Sequence, residues 1–193
     1  MINFPIKKTI NKNMSNQKNV RKANLGMFLE DMLNETNEYY LNANIAVIHK
    51  KPTPIQIVKV DFPNREHAKI TEAYYKVPST TDYNGIYQGK YVDFEAKECN
   101  SATSFVLKNV HPHQVLHLEN IIKHGGIGFL IIYFKKHNEV YLVPFDFFNQ
   151  YWLNKETSRK SIPYQDIKDN CHPIKLGFKP KIDYLDVVKK LYF

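Results

Sequence analysis

Between Met27 and Leu41 the apolar positions recur every three to four residues. Leu29, Met32, Leu33, Thr36 and Tyr40 fall on one side and Glu30, Asn34 and Glu38 on the other, which predicts an amphipathic helix. The period then shortens. NIAVIHK, residues 44–50, reads as a short buried strand, KPTP breaks it, and IQIVKV, residues 55–60, alternates as a second strand. Residues 61–79 fit neither template. Pro63 and Pro78 bracket a segment too polar for a core and too aromatic for a plain loop, which reads as a projecting element or, alternatively, as a loop whose tyrosines pack on the domain. Residues 81–98 alternate around Gln88-Gly89, the pattern of a β-hairpin with a two-residue turn. A helix is predicted over 111–126, with Pro112 in its first turn and Gly125-Gly126 ending it. Strands follow at 127–134 and 139–144, then helices in PFDFFNQYW and YQDIKDN, and a closing helix over 183–193 with Asp183 as N-cap. This alternation points to an α/β fold, a sheet with helices on its faces.

Composition narrows the picture. The 193 residues, 43% of them hydrophobic, suit one domain with a sizeable core rather than two. The longest apolar run, IGFLIIYF, is too short to span a bilayer and reads as a buried strand. Only Cys99 and Cys171 occur, and no apolar signal-peptide core opens the chain, so a reducing, cytoplasmic setting without a membrane partner is expected. The net charge of +8 suggests a polyanion such as nucleic acid, although a Lys-rich coding bias gives the same excess. Residues 1–24 carry Lys7, Lys8, Lys12, Lys18, Arg21 and Lys22 with no acid, and read as a flexible basic arm.

The hairpin carries the candidate chemistry. With the turn at Gln88-Gly89, Tyr87 opposes Lys90, Asn84 opposes Asp93 and Asp82 opposes Glu95. Opposed residues share a face, so the two carboxylates lie about 5 Å apart at Cβ, and strand alternation adds Lys97 to that face. Tyr83, Tyr87, Val92, Phe94 and Ala96 fill the other face. A turn at Asn84-Gly85 would break this register. Two like charges so placed call for a neutralising cation, and Mg²⁺ takes one or two carboxylates together with water and phosphate oxygens. Acid, acid and lysine on adjacent strands thus suit metal-dependent phosphodiester hydrolysis, with Lys97 stabilising the developing charge. Read alone, the spacing also fits an ordinary charged strand face.

Thr80, two residues before Asp82, and Gln114, in the first turn of a helix, are further candidates to hold an oxygen ligand or water. His113 and His117 stand one helical turn apart but lack the Glu of a zinc-protease motif, and no Gly-rich phosphate loop occurs. In the segment 61–79, Arg65, Lys69 and Lys76 flank Tyr74 and Tyr75, where cations would hold a nucleic-acid backbone and the rings would stack on bases.

Taken together, GMFLEDMLNETNEYYL, IAVIHKKPTPIQIVKV, STTDYNGIYQGKYVDFEAKE, HPHQ and KIDYLDVVKKLYF resemble the RecU-type Holliday junction resolvases of Gram-positive bacteria and mollicutes. The likeness covers nearly the whole chain after residue 24. It implies a restriction-endonuclease-like mixed sheet flanked by helices, a nuclease domain over 25–193, and a protruding stalk at about 61–79 that enters the open centre of a four-way junction. It further implies a homodimer that cuts two strands of like polarity with Mg²⁺, Mn²⁺ being a possible substitute, in DNA recombination and repair. By matching motif, Asp82 and Glu95 become metal ligands with Thr80 and Gln114 completing the site, and Lys97 becomes the transition-state stabiliser. Lys50 and Arg65 match basic positions of the family, and Tyr74-Tyr75 stands for its usual Tyr-Phe. Leu25 stands where the family carries an Arg tied to junction or recombinase contacts. Two alternatives remain open: a non-catalytic junction-binding protein that modulates a RecA-type recombinase, and a related nuclease acting on linear duplex or RNA.

Overall fold

A computed structural model of the chain describes residues 28–76 and 80–193; the basic arm, Leu25 and the 77–79 part of the presumed stalk lie outside them. In chain order the elements are α1 (Phe28–Asn42), β1 (Val47–Lys50), β2 (Ile55–Asp61), β3 (Lys69–Tyr75), β4 (Tyr83–Tyr87), β5 (Lys90–Cys99) and β6 (Ser104–Val106). They continue with α2 (Pro112–Lys123), β7 (Ile127–Phe134), β8 (Glu139–Pro144), α3 (Phe145–Leu153), β9 (Ser161–Pro163), α4 (Tyr164–Asn170), β10 (His172–Ile174) and α5 (Tyr184–Tyr192). Single 3₁₀ turns at Arg65–His67 and Leu107–Asn109 punctuate the loops.

Six strands make one sheet in the order β1-β4-β5-β7-β8-β10. β5 and β7 run parallel, the other pairs antiparallel, and α2 supplies the crossover that a parallel pair needs. The sheet is buried on both faces at its centre, which is why β7 reads as an unbroken apolar run. Phe129, Ile131 and Tyr133 join one core with Leu29, Leu33, Tyr40, Tyr83, Phe94 and Tyr184, beneath α1 and α5. Leu130, Ile132 and Phe134 join the other with Val115, Leu118, Phe148 and Ile167, beneath α2, α3 and α4. This mixed, helix-flanked sheet agrees with the restriction-endonuclease-like expectation. The helix α1 buries the five positions its periodicity named, with Asn37 in addition.

Two local readings change, and the sheet that a third strand joins becomes visible. The NIAVIHK strand is the sheet edge, and within β1 only Ile48 is buried, because an edge strand has one covered face and a single neighbour. Asp183 sits at the N-cap of α5 without capping it through its side chain; its Oδ1 accepts the hydroxyl of Tyr40 at 2.8 Å instead. IQIVKV does not join the main sheet. It pairs only with β3, as a two-stranded ribbon over 55–75 in which every strand residue is exposed. The ribbon therefore begins earlier than the 61–79 segment, because alternation alone does not say which sheet a strand joins.

The β4–β5 hairpin turns at Gln88 (φ +47°) and Gly89 (φ +76°), both left-handed as a type I′ turn requires. Its register pairs Tyr87 with Lys90, Asn84 with Asp93 and Tyr83 with Phe94, as the turn position predicted.

Candidate active site

Asp82 lies one residue before β4 and Glu95 in the middle of β5. Backbone donors hold both carboxylates: the Asp82 N–H donates to Glu95 Oε2 at 3.1 Å, and the N–H of Ala96, next to Glu95, to Asp82 Oδ2 at 3.2 Å. Lys97, two residues along on the same face, donates from Nζ to Glu95 Oε1. The first turn of α2 brings Gln114 to the same oxygen, Nε2 donating at 2.6 Å, while Gln114 Oε1 accepts the His111 N–H at 2.9 Å. The helix can press this close partly because Gly128, opposite Asp93 on β7, has no side chain; a Cβ there would meet Ile122 and Leu118 of α2.

Glu95 is fully buried. Burial, then repulsion from Asp82, push its carboxyl up to about 8, against the opposing pull of Lys97. Ionising Glu95 would set two carboxylates against one lysine, an imbalance that a bound cation relieves. Among the described residues no three His, Cys, Asp or Glu side chains converge into a metal cage. Two carboxylates without a thiolate or imidazole between them suit a hard ion that keeps several waters, such as Mg²⁺, better than zinc.

Thr80 sits in a bend rather than an extended strand, its Oγ1 3.5 Å from the Thr81 carbonyl. With Asp82, Glu30, Lys50 and Lys51 it lines a cleft of about 380 Å³. His113 has a buried Nε2 without a partner, and burial, His111 and Lys97 lower its basicity.

A second polar cluster adjoins the first and was missed by sequence reasoning. Asp93, fully buried, accepts hydrogen bonds from the Thr81 hydroxyl, Lys51 Nζ (2.8 Å), the Tyr91 hydroxyl (3.0 Å) and His117 Nε2 (3.0 Å). Four donors fill a carboxylate's acceptor capacity and account for its burial. His117 is thereby committed to Asp93 rather than paired with His113. The available signal was the polar run Tyr91, Asp93, Glu95, Lys97 on one face of a strand whose other face is Val92, Phe94 and Ala96.

The remaining candidates lie at the rim of the Asp82 cleft or on the ribbon. Lys50 Nζ pairs with Glu30 Oε2 at 2.6 Å. Lys69, Tyr74, Tyr75 and Lys76 are exposed on or beside the ribbon; Tyr74 donates to Glu72 at 2.8 Å, and Tyr75 is 84% exposed. Arg65 opens the 3₁₀ turn between the two ribbon strands. Among the described residues no helix is long and apolar enough to cross a membrane.

Residues 24–190 match the protein family described as recombination protein U, RecU. A protein of Geobacillus kaustophilus named Holliday junction resolvase RecU is 56% identical over 172 residues, covering 89% of this chain and 86% of the relative. Proteins of the same name from Bacillus cytotoxicus and Listeria welshimeri are 49% identical over 197 residues (100% and 98% covered) and 54% over 169 (87% and 84%).

Proposed function

The chain belongs to the recombination protein U (RecU) family, and from that premise we infer that it is an endonuclease resolving Holliday junctions in DNA recombination. The observation that carries the chemistry is the convergence of Asp82, Lys97 and Gln114 on the buried carboxylate of Glu95.

Asp82 and Glu95 would hold a divalent ion, Mg²⁺ or in its place Mn²⁺, with Thr80 at the rim contributing oxygen. The ion when bound would polarise the scissile phosphodiester and activate water. Gln114 orients Glu95 through its amide N–H, and serves as an oxygen ligand only after leaving the His111 N–H. Lys97 sets a fixed positive charge where the phosphorus centre accumulates negative charge. The exposed ribbon, with Lys69, Tyr74, Tyr75, Lys76 and Arg65, is the element suited to a junction's open centre: its rings can stack on unpaired bases and its cations meet phosphates. Lys50 would reach DNA only by parting from Glu30. Paired cuts in strands of like polarity need two equivalent sites, which a twofold homodimer supplies most simply. Such chemistry on chromosomal DNA would take place in the bacterial cytoplasm.

The test is cleavage of a synthetic four-way junction and a matched linear duplex, with and without Mg²⁺. Paired cuts are expected on the junction only, and only with metal. Asp82→Ala and Glu95→Ala should bind the junction without cutting, and Lys97→Ala should cut about 10²-fold more slowly. Salt-sensitive binding with no cutting under any metal would make the protein a junction-binding factor, and equal cutting of the duplex a nuclease of another specificity.

A further inference from the structure

The ribbon leaves the domain just after Lys51 and returns just before Asp82. Its two legs close on each other at the base, where the Lys76 N–H donates to the Pro54 carbonyl at 3.0 Å. One step closer to the core, the Lys51 N–H donates to the Asp82 carbonyl at 2.7 Å. The outgoing leg therefore grips the backbone of a proposed metal acid directly.

The side chains at the same level repeat that grip. Lys51 Nζ donates to Thr81 Oγ1 at 2.9 Å and to Asp93 Oδ2 at 2.8 Å, while the Thr81 hydroxyl donates to Asp93 Oδ1. Residue 51 from one leg and residue 81 from the other are thus pinned to one buried carboxylate on β5, two residues from Glu95. His117 adds α2, the helix that also carries Gln114 to Glu95. The network assigns the His117 proton to Nε2, donating to Asp93.

Two other roles for this cluster fail on its chemistry. Its ammonium neutralises its carboxylate, so no charge remains to attract a second metal ion. Lys51 is also unsuited to holding phosphate: Thr81 and Asp93 engage it, His117 Nε2 stands 3.4 Å away, and the side chain is only 16% exposed.

We propose that Lys51, Thr81, Asp93 and His117 form a lock that fastens the base of the ribbon to the metal-binding acids and keeps Asp82 in register with Glu95. They are positioning residues, acting through Asp82. The proposal rests on reading Asp82 and Glu95 as metal ligands and the ribbon as the junction-engaging element. Its consequence is a physical link between the part that meets the junction and the part that cuts, since Lys51 of the outgoing leg bonds the Asp82 backbone and Thr81 of the lock immediately precedes Asp82.

The decisive comparison is Thr81→Val, which keeps the shape but removes the hydroxyl, against Thr81→Ser, which keeps the hydroxyl. Tyr91→Phe is the control, because it removes a donor to Asp93 that does not come from the ribbon base. Each full-length variant is measured for melting temperature, junction affinity in EDTA, calorimetric Mn²⁺ affinity without DNA, and junction cleavage. Thr81→Val should bind the junction within about twofold of wild type yet bind Mn²⁺ at least tenfold more weakly, with cleavage at fixed metal falling in parallel. Thr81→Ser and Tyr91→Phe should stay within about threefold of wild type in both. Wild-type Mn²⁺ affinity in Thr81→Val overturns the lock, and so does an equal loss in Tyr91→Phe, which would reduce the network to general support of Asp93. Should Thr81→Val melt early, Thr81→Ser decides: a folded serine variant with weakened Mn²⁺ binding refutes the role of the hydroxyl. Wild-type protein that binds no Mn²⁺ sinks the assignment of the acids and the lock with it, whereas wild-type binding with an unaffected Thr81→Val sinks the lock alone.

Discussion

Glu95→Gln should make the metal-free protein less sensitive to pH. The carboxyl of Glu95 is raised from 4.5 to about 8 by burial and by Asp82. Between those limits the unfolded chain has released the proton and the folded protein still holds it, so stability falls as pH rises, by about 1.4 kcal/mol per pH unit. The contribution is complete below pH 4.5 and lost above about pH 8, a span worth about 5 kcal/mol. For a domain of this size that corresponds to roughly 10–20 °C in melting temperature. Glutamine has nothing to titrate, and its single oxygen serves either the Asp82 N–H or the Lys97 and Gln114 donors, a cost that does not vary with pH. Calorimetric melting in EDTA from about pH 5 to pH 9 isolates the effect, because all other titrating groups are common to both proteins. The stability difference between them should shift by several kcal/mol in the variant's favour from about pH 5 to pH 9, with Mg²⁺ at the upper end reversing that shift by stabilising wild type alone. A difference between them that stays constant across the range would refute the reasoning, since the buried, like-charged environment would then impose no cost on the carboxylate.

Two further outcomes follow from the geometry. Tyr75→Ala, at a ring 84% exposed on the ribbon, should leave the melting temperature unchanged and weaken four-way junction binding by about 1–3 kcal/mol relative to linear duplex; gel-shift titration on both substrates checks this, and equal weakening on both would argue against stacking at the junction centre. Gly85→Ala should destabilise the fold by about 2–4 kcal/mol in denaturant titration, because its Cβ would fall 2.0 Å from the Val47 carbonyl oxygen and force β1 away from β4 at about 1 kcal/mol per lost hydrogen bond.

The parts legible in the sequence were those fixed by local rules. Gln88-Gly89 set the hairpin register, and with it the opposition of Asp82 and Glu95, because a two-residue turn leaves the strands no freedom to slide. Leu29 to Tyr40 set the buried face of α1 because helical periodicity is independent of the partner. The Asp93 lock escaped because its members come from four places in the chain: Lys51 after β1, Thr81 before β4, Asp93 on β5 and His117 on α2. Only β5 shows a trace of it, in a polar alternation on a strand that lies at the centre of the sheet. IQIVKV is a strand, as its alternation indicates, but the sheet it joins was not legible. Both faces of a free ribbon meet solvent, and pattern alone does not distinguish one covered face from none. Gln114 was found as a polar residue in the first turn of a helix, yet the bond from its oxygen to the His111 N–H depends on a rotamer that no spacing encodes.

The ribbon also has a bearing on how such proteins can diversify. None of its strand residues belongs to either apolar core, and the two points where it joins the domain are neighbours in space. An excursion rooted in this way can be lengthened, shortened or exchanged while the sheet is left intact, since closing a longer loop over fixed ends grows costlier only slowly. With the ribbon as the proposed junction-engaging element, the scaffold would behave as a cutting head with an interchangeable gauge. Recognition of a branched substrate can drift quickly along one lineage and another while the hydrolytic centre stays the same.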